Sequence, residues 1–220
     1  MARREIQVFQ QLGNRHPGLL PLLFGAETDT ELVLLTPYAP QGDLHALTSI
    51  NQNVFKCLEE LDAAALASQL LSALGALHEA RYMHGDIKPQ NVFLTRAEGA
   101  LVAQLGDFGL TRHIKEGEEG VPNEGGTPGY MAPEMVGQLL NGPRALVSFP
   151  ADLFALGVML YQLLSTMGPF EPASNVSAPL EFDDGCWEPL TKEAKELVEV
   201  LLEKEPAARG TAEGALEHSW

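Results

Sequence analysis

The segment Pro150–Ser165, PADLFALGVMLYQLLS, reads as a helix that is apolar nearly all round, and a helix of that kind has to be enclosed by other elements. Its longest apolar run, Phe154–Leu164, is interrupted by Gln162 and is too short to cross a bilayer, so the expected enclosure is protein and not lipid. Helices able to supply it are present. Leu66, Leu70, Leu74 and Leu77 share one face of the segment 61–79, and Ala194, Leu197, Val198, Leu201 and Leu202 share one face of 191–203.

Shorter helices are expected at 3–12, where Ile6, Phe9 and Leu12 have helical spacing before GNRHPG, from about Asp43 after PQGDL, and at 211–218. The runs LLPLLFGA and ELVLLTPY, separated by ETDT, predict an antiparallel pair. Short β-like runs follow at 92–94 and 101–105, and KEGEEGVPNEGGTPG, 115–129, reads as a surface loop. The expected class is α+β: a small sheet with one helix, then a mostly helical body whose polar clusters fall in loops.

With 220 residues, 45% of them hydrophobic, the chain can bury a core as one domain, or as one domain with a partial second lobe. Fourteen basic against thirty acidic side chains, net −16, argue against nucleic-acid and anionic-membrane binding. Cys57 and Cys186 are far apart and lack metal-ligand spacing, so neither a disulfide framework nor a zinc site is expected, and a reducing compartment fits best. The start MARREIQVFQQLG turns polar before any apolar stretch, so no signal peptide is read there. The expected location is the cytoplasm, with the nucleus as the alternative.

The chemistry lies in the loops. HGDIKPQN, 84–91, offers Asp86 to accept a proton, Lys88 to neutralise a phosphate oxygen and Asn91 to hold a divalent cation. Further on, GDFGL adds a second carboxylate, Asp107, next to a glycine that permits a sharp turn. Magnesium takes hard oxygen ligands and needs only one or two from a protein when phosphates supply the rest, and Asn91 and Asp107 could be those two. Each piece alone is weak; their conjunction in this order is a phosphoryl-transfer set.

These blocks resemble the eukaryotic protein kinase family, in which HGDIKPQN looks like the catalytic loop, DFG the magnesium loop and GTPGYMAPE the end of the activation segment. The resemblance covers the whole chain, with 1–37 as a remnant of the small lobe and 38–220 as the large lobe. It implies a serine/threonine protein kinase using ATP and Mg²⁺ and acting on protein substrates, which the acidic clusters suggest are basic. Lys88 two places after Asp86, together with GTPGY, is the serine/threonine form, and the closing segment looks most like the calcium/calmodulin-dependent group. No EF-hand loop or calmodulin-binding helix is visible.

Carried over residue by residue, Asp86 would deprotonate the acceptor hydroxyl, Lys88 would steady the γ-phosphate, and Asn91 and Asp107 would bind magnesium. Thr36 would be the gatekeeper, Tyr38 and Ala39 the adenine hinge, Asp43 the ribose contact and Phe93 the floor under the purine. His84 and Phe108 would be packing residues that join the two loops. Thr127 would line the acceptor pocket, Asp152 would tie down the catalytic-loop backbone, and Glu134 would pair with Arg209.

Three departures from the family pattern matter. Glu5, with Phe9 one turn on, resembles the glutamate of the small lobe's helix, yet no G-x-G-x-x-G loop and no strand lysine occur among the 220 residues. The expectation is a kinase domain lacking its first segment, with Leu32–Leu35 as an apolar edge that a partner could cover. Two readings follow: an active kinase, or a kinase-like scaffold without catalysis. The second departure is Gly85, where many kinases have a phosphate-reading arginine. Between Asp107 and Glu134 the hydroxyl side chains are Thr111, Thr127 and Tyr130, while Glu116, Glu118, Glu119 and Glu124 supply fixed charge. The third is the link 171–186, which lacks the pattern of a substrate-docking helix.

Overall fold

The computed structural model describes residues 2–12, 15–28, 30–51, 54–55, 57–97, 99–136, 146–170, 175–182 and 185–220. Six α-helices are described: α1 (Ala2–Leu12), α2 (Leu44–Thr48), α3 (Glu60–Glu79), α4 (Pro150–Ser165), α5 (Lys192–Leu201) and α6 (Ala212–Leu216). The strands form two-stranded antiparallel pairs and no larger sheet among the described residues. They are β1 (Phe24–Glu27) with β2 (Leu32–Leu35), β3 (Ser49–Asn51) with β4 (Val54–Phe55), and β6 (Val92–Ala97) with β7 (Ala100–Leu105). Two shorter pairs join distant segments: β5 (Tyr82–Met83) with β8 (Arg112–His113), and β9 (Val121–Pro122) with β10 (Leu146–Val147).

The α+β class expected from the sequence is what forms, and α4 is its axis. Every residue from Ala151 to Tyr161 is buried, as a helix without a polar face requires. Fully burying a Leu or Phe side chain contributes roughly 1.5–3 kcal/mol, so Leu153, Phe154, Leu156 and Leu160 anchor the body. Gly157 lets α5 come close: a Cβ there would lie 2.8 Å from Leu201 Cβ.

α3 buries a broader stripe than its leucines, because Ala63, Ala67 and Ala73 permit close approach. Gln69 fastens this helix to β7, accepting from Ala103 N at 2.9 Å and donating to Leu101 O at 3.2 Å. α1 buries Val8, Phe9 and Leu12.

The turn between β1 and β2 is closed by Thr28 N donating to Glu31 O at 2.9 Å. On the outer face of this hairpin the cross-strand pair Phe24 and Leu35 stays 56% and 54% exposed. Of the link 171–186, residues 171–174 and 183–184 lie outside the described residues, and 175–182 and 185–186 contain no α-helix. The loop 115–129 is less free than its composition predicts, since Val121 pairs with Val147 and a Cβ on Gly120 would strike Val147 O at 2.6 Å.

Candidate active site

The first turn of α4 carries Asp152, only 1% exposed, and its carboxylate organises the loop that precedes β6. Asp152 Oδ2 accepts from His84 N and Oδ1 from Gly85 N, both at 2.8 Å. His78 Nε2, from the last turn of α3, donates to Asp152 Oδ2 at 2.9 Å. A buried carboxylate with three donors is satisfied in place, so the loop backbone is pinned to the core helix. Gly85 sits at φ +82° with its Cβ position 3.1 Å from Leu110 O, so a side chain there would be strained.

His84 is fully buried. Its Nδ1 accepts from Asp86 N at 3.2 Å, which leaves Nε2–H to donate to Gly106 O at 3.1 Å. Burial holds its pKa below the usual histidine value despite the nearby Asp152, Asp86 and Asp107 charges. The neutral ring therefore joins the loop to the segment that follows β7. Phe108 lies 5.6 Å from His84 and 4.9 Å from Phe9 of α1, centroid to centroid, so an aromatic column links α1 to the loop.

Beyond this anchor the polar residues converge. Asp86 Oδ1 accepts from Thr127 N at 3.1 Å and from Thr127 Oγ1 at 2.6 Å, while Oδ2 meets Lys88 Nζ at 2.6 Å. Lys88 Nζ also donates to Thr127 Oγ1 at 2.9 Å. Asn91 Nδ2 donates to Asp86 O at 2.8 Å and more weakly to Asp86 Oδ2 at 3.2 Å. Burial pushes the Asp86 carboxyl up, but hydrogen bonds from Lys88 and Thr127 outweigh it and hold the pKa below its ordinary value. The site thus holds an ionised carboxylate beside an ammonium and a hydroxyl.

The β6–β7 hairpin sets the position of the second carboxylate. Its register pairs Val92 with Leu105, and Gly106 N donates to Asn91 O at 2.9 Å, so Asn91 and Asp107 leave the hairpin side by side. Asp107 adopts a left-handed backbone at φ 59°, and its Oδ1 accepts from Gly109 N at 3.3 Å. An amide oxygen and a carboxylate brought together at the open end of a hairpin are a donor set that suits magnesium. Glu5, half-buried on α1, has its pKa raised by burial and by the charge of Asp107. A cation near Asp107 would relieve both carboxylates.

Of the residues expected around the nucleotide, Asp43 and Phe93 lie against each other at this hairpin. Asp43 bridges to Phe93 of β6, and Leu94 N donates to Gly42 O at 2.9 Å. Phe93 lies over Gly106, where a Cβ would meet its ring at 2.9 Å. Asp43 Oδ1 caps α2 by accepting from Ala46 N at 2.7 Å. Thr36 and Ala39 are partly buried, Ala39 O accepts from Gly42 N at 3.0 Å, and Tyr38 is 85% exposed.

Two partners were not expected. His78 continues the Leu66, Leu70, Leu74 stripe by one more turn, so a histidine on a core face was the available signal. Arg112, nearly buried, forms an ion pair with Glu124 across the 115–124 loop, a contact that no local pattern announces.

Arg209 ties the segment after α5 to Glu134, seven positions after Thr127. Its Nη1 and Nη2 meet Glu134 Oε1 and Oε2 at 2.7 and 2.8 Å. Its remaining N–H groups go to Pro150 O at 3.0 Å, Glu203 O at 2.7 Å and Lys204 O at 3.1 Å.

Comparison with known proteins agrees in kind. A family model described as protein kinase domain matches residues 1–220. Myosin light chain kinase 3 of Danio rerio is 33% identical over 225 residues, which is 99% of this chain and 30% of that protein. Myosin light chain kinase 2, skeletal/cardiac muscle, of Mus musculus is 34% identical over 227 residues, 100% of this chain and 35% of that protein. The calcium/calmodulin-dependent protein kinase type I of Schizosaccharomyces pombe is 31% identical over 224 residues, 98% of this chain and 64% of that protein. The chain therefore spans between about a third and two thirds of these relatives' lengths. With a family match along its whole length and these relatives 31–34% identical across nearly all of it, the chain belongs to the protein kinase domain family, among its serine/threonine members.

Proposed function

We propose that this chain transfers the γ-phosphate of ATP to serine or threonine hydroxyls of protein substrates. The observation that carries the reading is the Asp86 carboxylate, ionised and held between Thr127 Oγ1 at 2.6 Å and Lys88 Nζ at 2.6 Å. In that position Asp86 orients and accepts the proton of the acceptor hydroxyl. Lys88 places its charge where the transferred phosphoryl oxygens develop theirs, and Thr127 shapes the acceptor side. Asn91 and Asp107 would hold magnesium, which supplies charge neutralisation on the phosphates when bound. Asp152 acts on none of these atoms; it fixes the loop that carries them.

Thr36, Tyr38, Ala39, Asp43 and Phe93 form the adenosine side in this reading. A groove lined by His45, Thr48, Pro89, Gln90, Tyr130 and Gln162 beside the catalytic loop is the path we assign to the substrate peptide. The net charge of −16 favours basic peptides. The exposed Phe24 and Leu35 face supports a protein partner over the β1–β2 hairpin. Residues 1–37 form the small-lobe part and 38–220 the large lobe in this reading, and the location we favour is cytoplasmic or nuclear. Among the described residues no helix is long and apolar enough to cross a membrane.

The test is a thermal-shift titration of the chain with magnesium and ATP, followed by radiolabelled phosphate transfer to a basic serine peptide. The expected result is a magnesium-dependent shift and labelling of the peptide. Neither a shift nor transfer would overturn the reading in favour of a kinase-like binding module.

A further inference from the structure

Cys57 and Cys186 are 129 positions apart in the chain, yet their Sγ atoms lie 3.5 Å from each other. Neither cysteine is in a disulfide, and both are half-buried. The proximity is imposed by the frame on each side. Leu58 N donates to Leu163 O at 2.8 Å, which seats the approach to α3 on helix α4. Trp187, fully buried next to Cys186, packs on Tyr161 of the same helix at 4.7 Å and on Phe182 at 4.5 Å. Beside the pair, Glu60 at the start of α3 accepts from Thr191 N at 3.1 Å and from Trp220 Nε1 at 2.8 Å. Both cysteines are thus carried by segments fixed to one helix.

A disulfide holds its sulfurs about 2.05 Å apart, so closure requires an approach of about 1.5 Å from the present 3.5 Å. We propose that Cys57 and Cys186 form a reversible intramolecular disulfide, a redox-sensitive modification site remote in sequence from the catalytic loops. The co-reactant is a peroxide. One thiolate attacks a peroxide oxygen, breaking the O–O bond to give a sulfenic acid and one water after protonation. The second thiolate attacks the sulfenic sulfur, forming the S–S bond and expelling hydroxide, which leaves as the second water. Two thiols lose two electrons in all, and hydrogen peroxide is reduced to two waters. A dithiol reductant reverses the step by exchange.

The bridge would cross-link the start of α3 to the segment leading into α5. Closing so long a loop restricts the unfolded chain, and for a protein of this size it should raise the thermal midpoint by roughly 10 °C.

The test treats the full chain with equimolar hydrogen peroxide, alkylates remaining thiols and maps peptides by mass spectrometry, beside a melting curve. Expected are a Cys57–Cys186 linked peptide in monomeric protein, loss of alkylation at both sites, the rise in midpoint, and full reversal by dithiothreitol. Cys57→Ser and Cys186→Ser should each abolish the cross-link and the rise. Oxidation that yields only separate sulfinic acids, or only disulfides between two copies of the chain, would overturn the proposal. The wild-type map decides this even where a serine variant fails to fold, and it does not depend on phosphate transfer.

Discussion

Arg209 and Glu134 meet through two parallel hydrogen bonds of 2.7 and 2.8 Å, and three backbone carbonyls take the other N–H groups of the guanidinium. Arg209 is 1% exposed and stacks over Phe154 at 4.9 Å, so it joins the chain after α5 both to α4 and to the end of the activation segment. Removing one partner of a buried pair leaves the other uncompensated, at a cost of roughly 3–5 kcal/mol. Arg209→Ala should therefore lower the urea midpoint sharply, and Arg209→Lys should recover little, because a lysine ammonium cannot reproduce the five-donor fork. A variant that melts like wild type would show that the pair is not structural.

The parts of this site that were readable in the sequence are those built from close neighbours. Asp86, Lys88 and Asn91 lie on one short loop, and Asn91 and Asp107 are joined by a hairpin whose strands showed in the apolar pattern. Asp43, the ribose contact that the family resemblance implies, also stands before a short helix as a capping residue would, and its Oδ1 caps α2. Arg112 with Glu124, and Cys57 with Cys186, were not readable. Their partners are set by the packing of whole helices, and nothing local distinguishes these cysteines from any other two.

Asp86→Asn preserves shape while removing the charge that accepts a proton. Phosphate transfer to the test peptide should fall by about 10²–10⁴-fold, the usual worth of a positioned general base. The thermal midpoint should fall far less than activity: the amide oxygen can still accept from Thr127, and Lys88, which loses its carboxylate oxygen, is partly exposed and keeps Thr127 Oγ1 as an acceptor. Equal loss of fold and activity would assign Asp86 a structural role.

The buried, neutral His84 makes stability depend on pH with a definite sign. Its pKa is lowered by folding, so below the unfolded value of about 6.5 the unfolded chain binds a proton that the folded chain does not. Stability is full above that pH and falls as the pH drops toward the depressed folded pKa, by at most about 1.4 kcal/mol per pH unit. In His84→Asn the slope of the thermal midpoint between pH 6.5 and 5 should flatten. An NMR titration in which the His84 ring protonates near pH 6.5 in the folded protein would contradict this.

Thr111, fully buried, donates through Oγ1 to His84 O at 3.3 Å, and Thr127 Oγ1 is bound between Asp86 and Lys88. Neither hydroxyl is presented to another kinase, and Gly85 offers no cation to a phosphate. Phosphopeptide mapping of protein purified from eukaryotic cells should find Thr111 unmodified. Stoichiometric phosphate there, rising with activity, would refute it.

What holds the activation segment instead is the Arg112 and Glu124 ion pair, supported by Arg81 Nε donating to Ile114 O at 3.1 Å. The Glu124 side chain is 49% exposed, so solvent screens the pair and Glu124→Gln should cost no more than about 1 kcal/mol of global stability. Its effect should be local. With one tie of the loop between His113 and Asn123 removed and the Val121–Val147 pairing left in place, limited proteolysis at Lys115 should accelerate while the melting curve barely moves. Arg112→Gln should do the same, and the double variant should add nothing further, because each change breaks the same contact. An additive double variant would mean that the two side chains hold the loop independently.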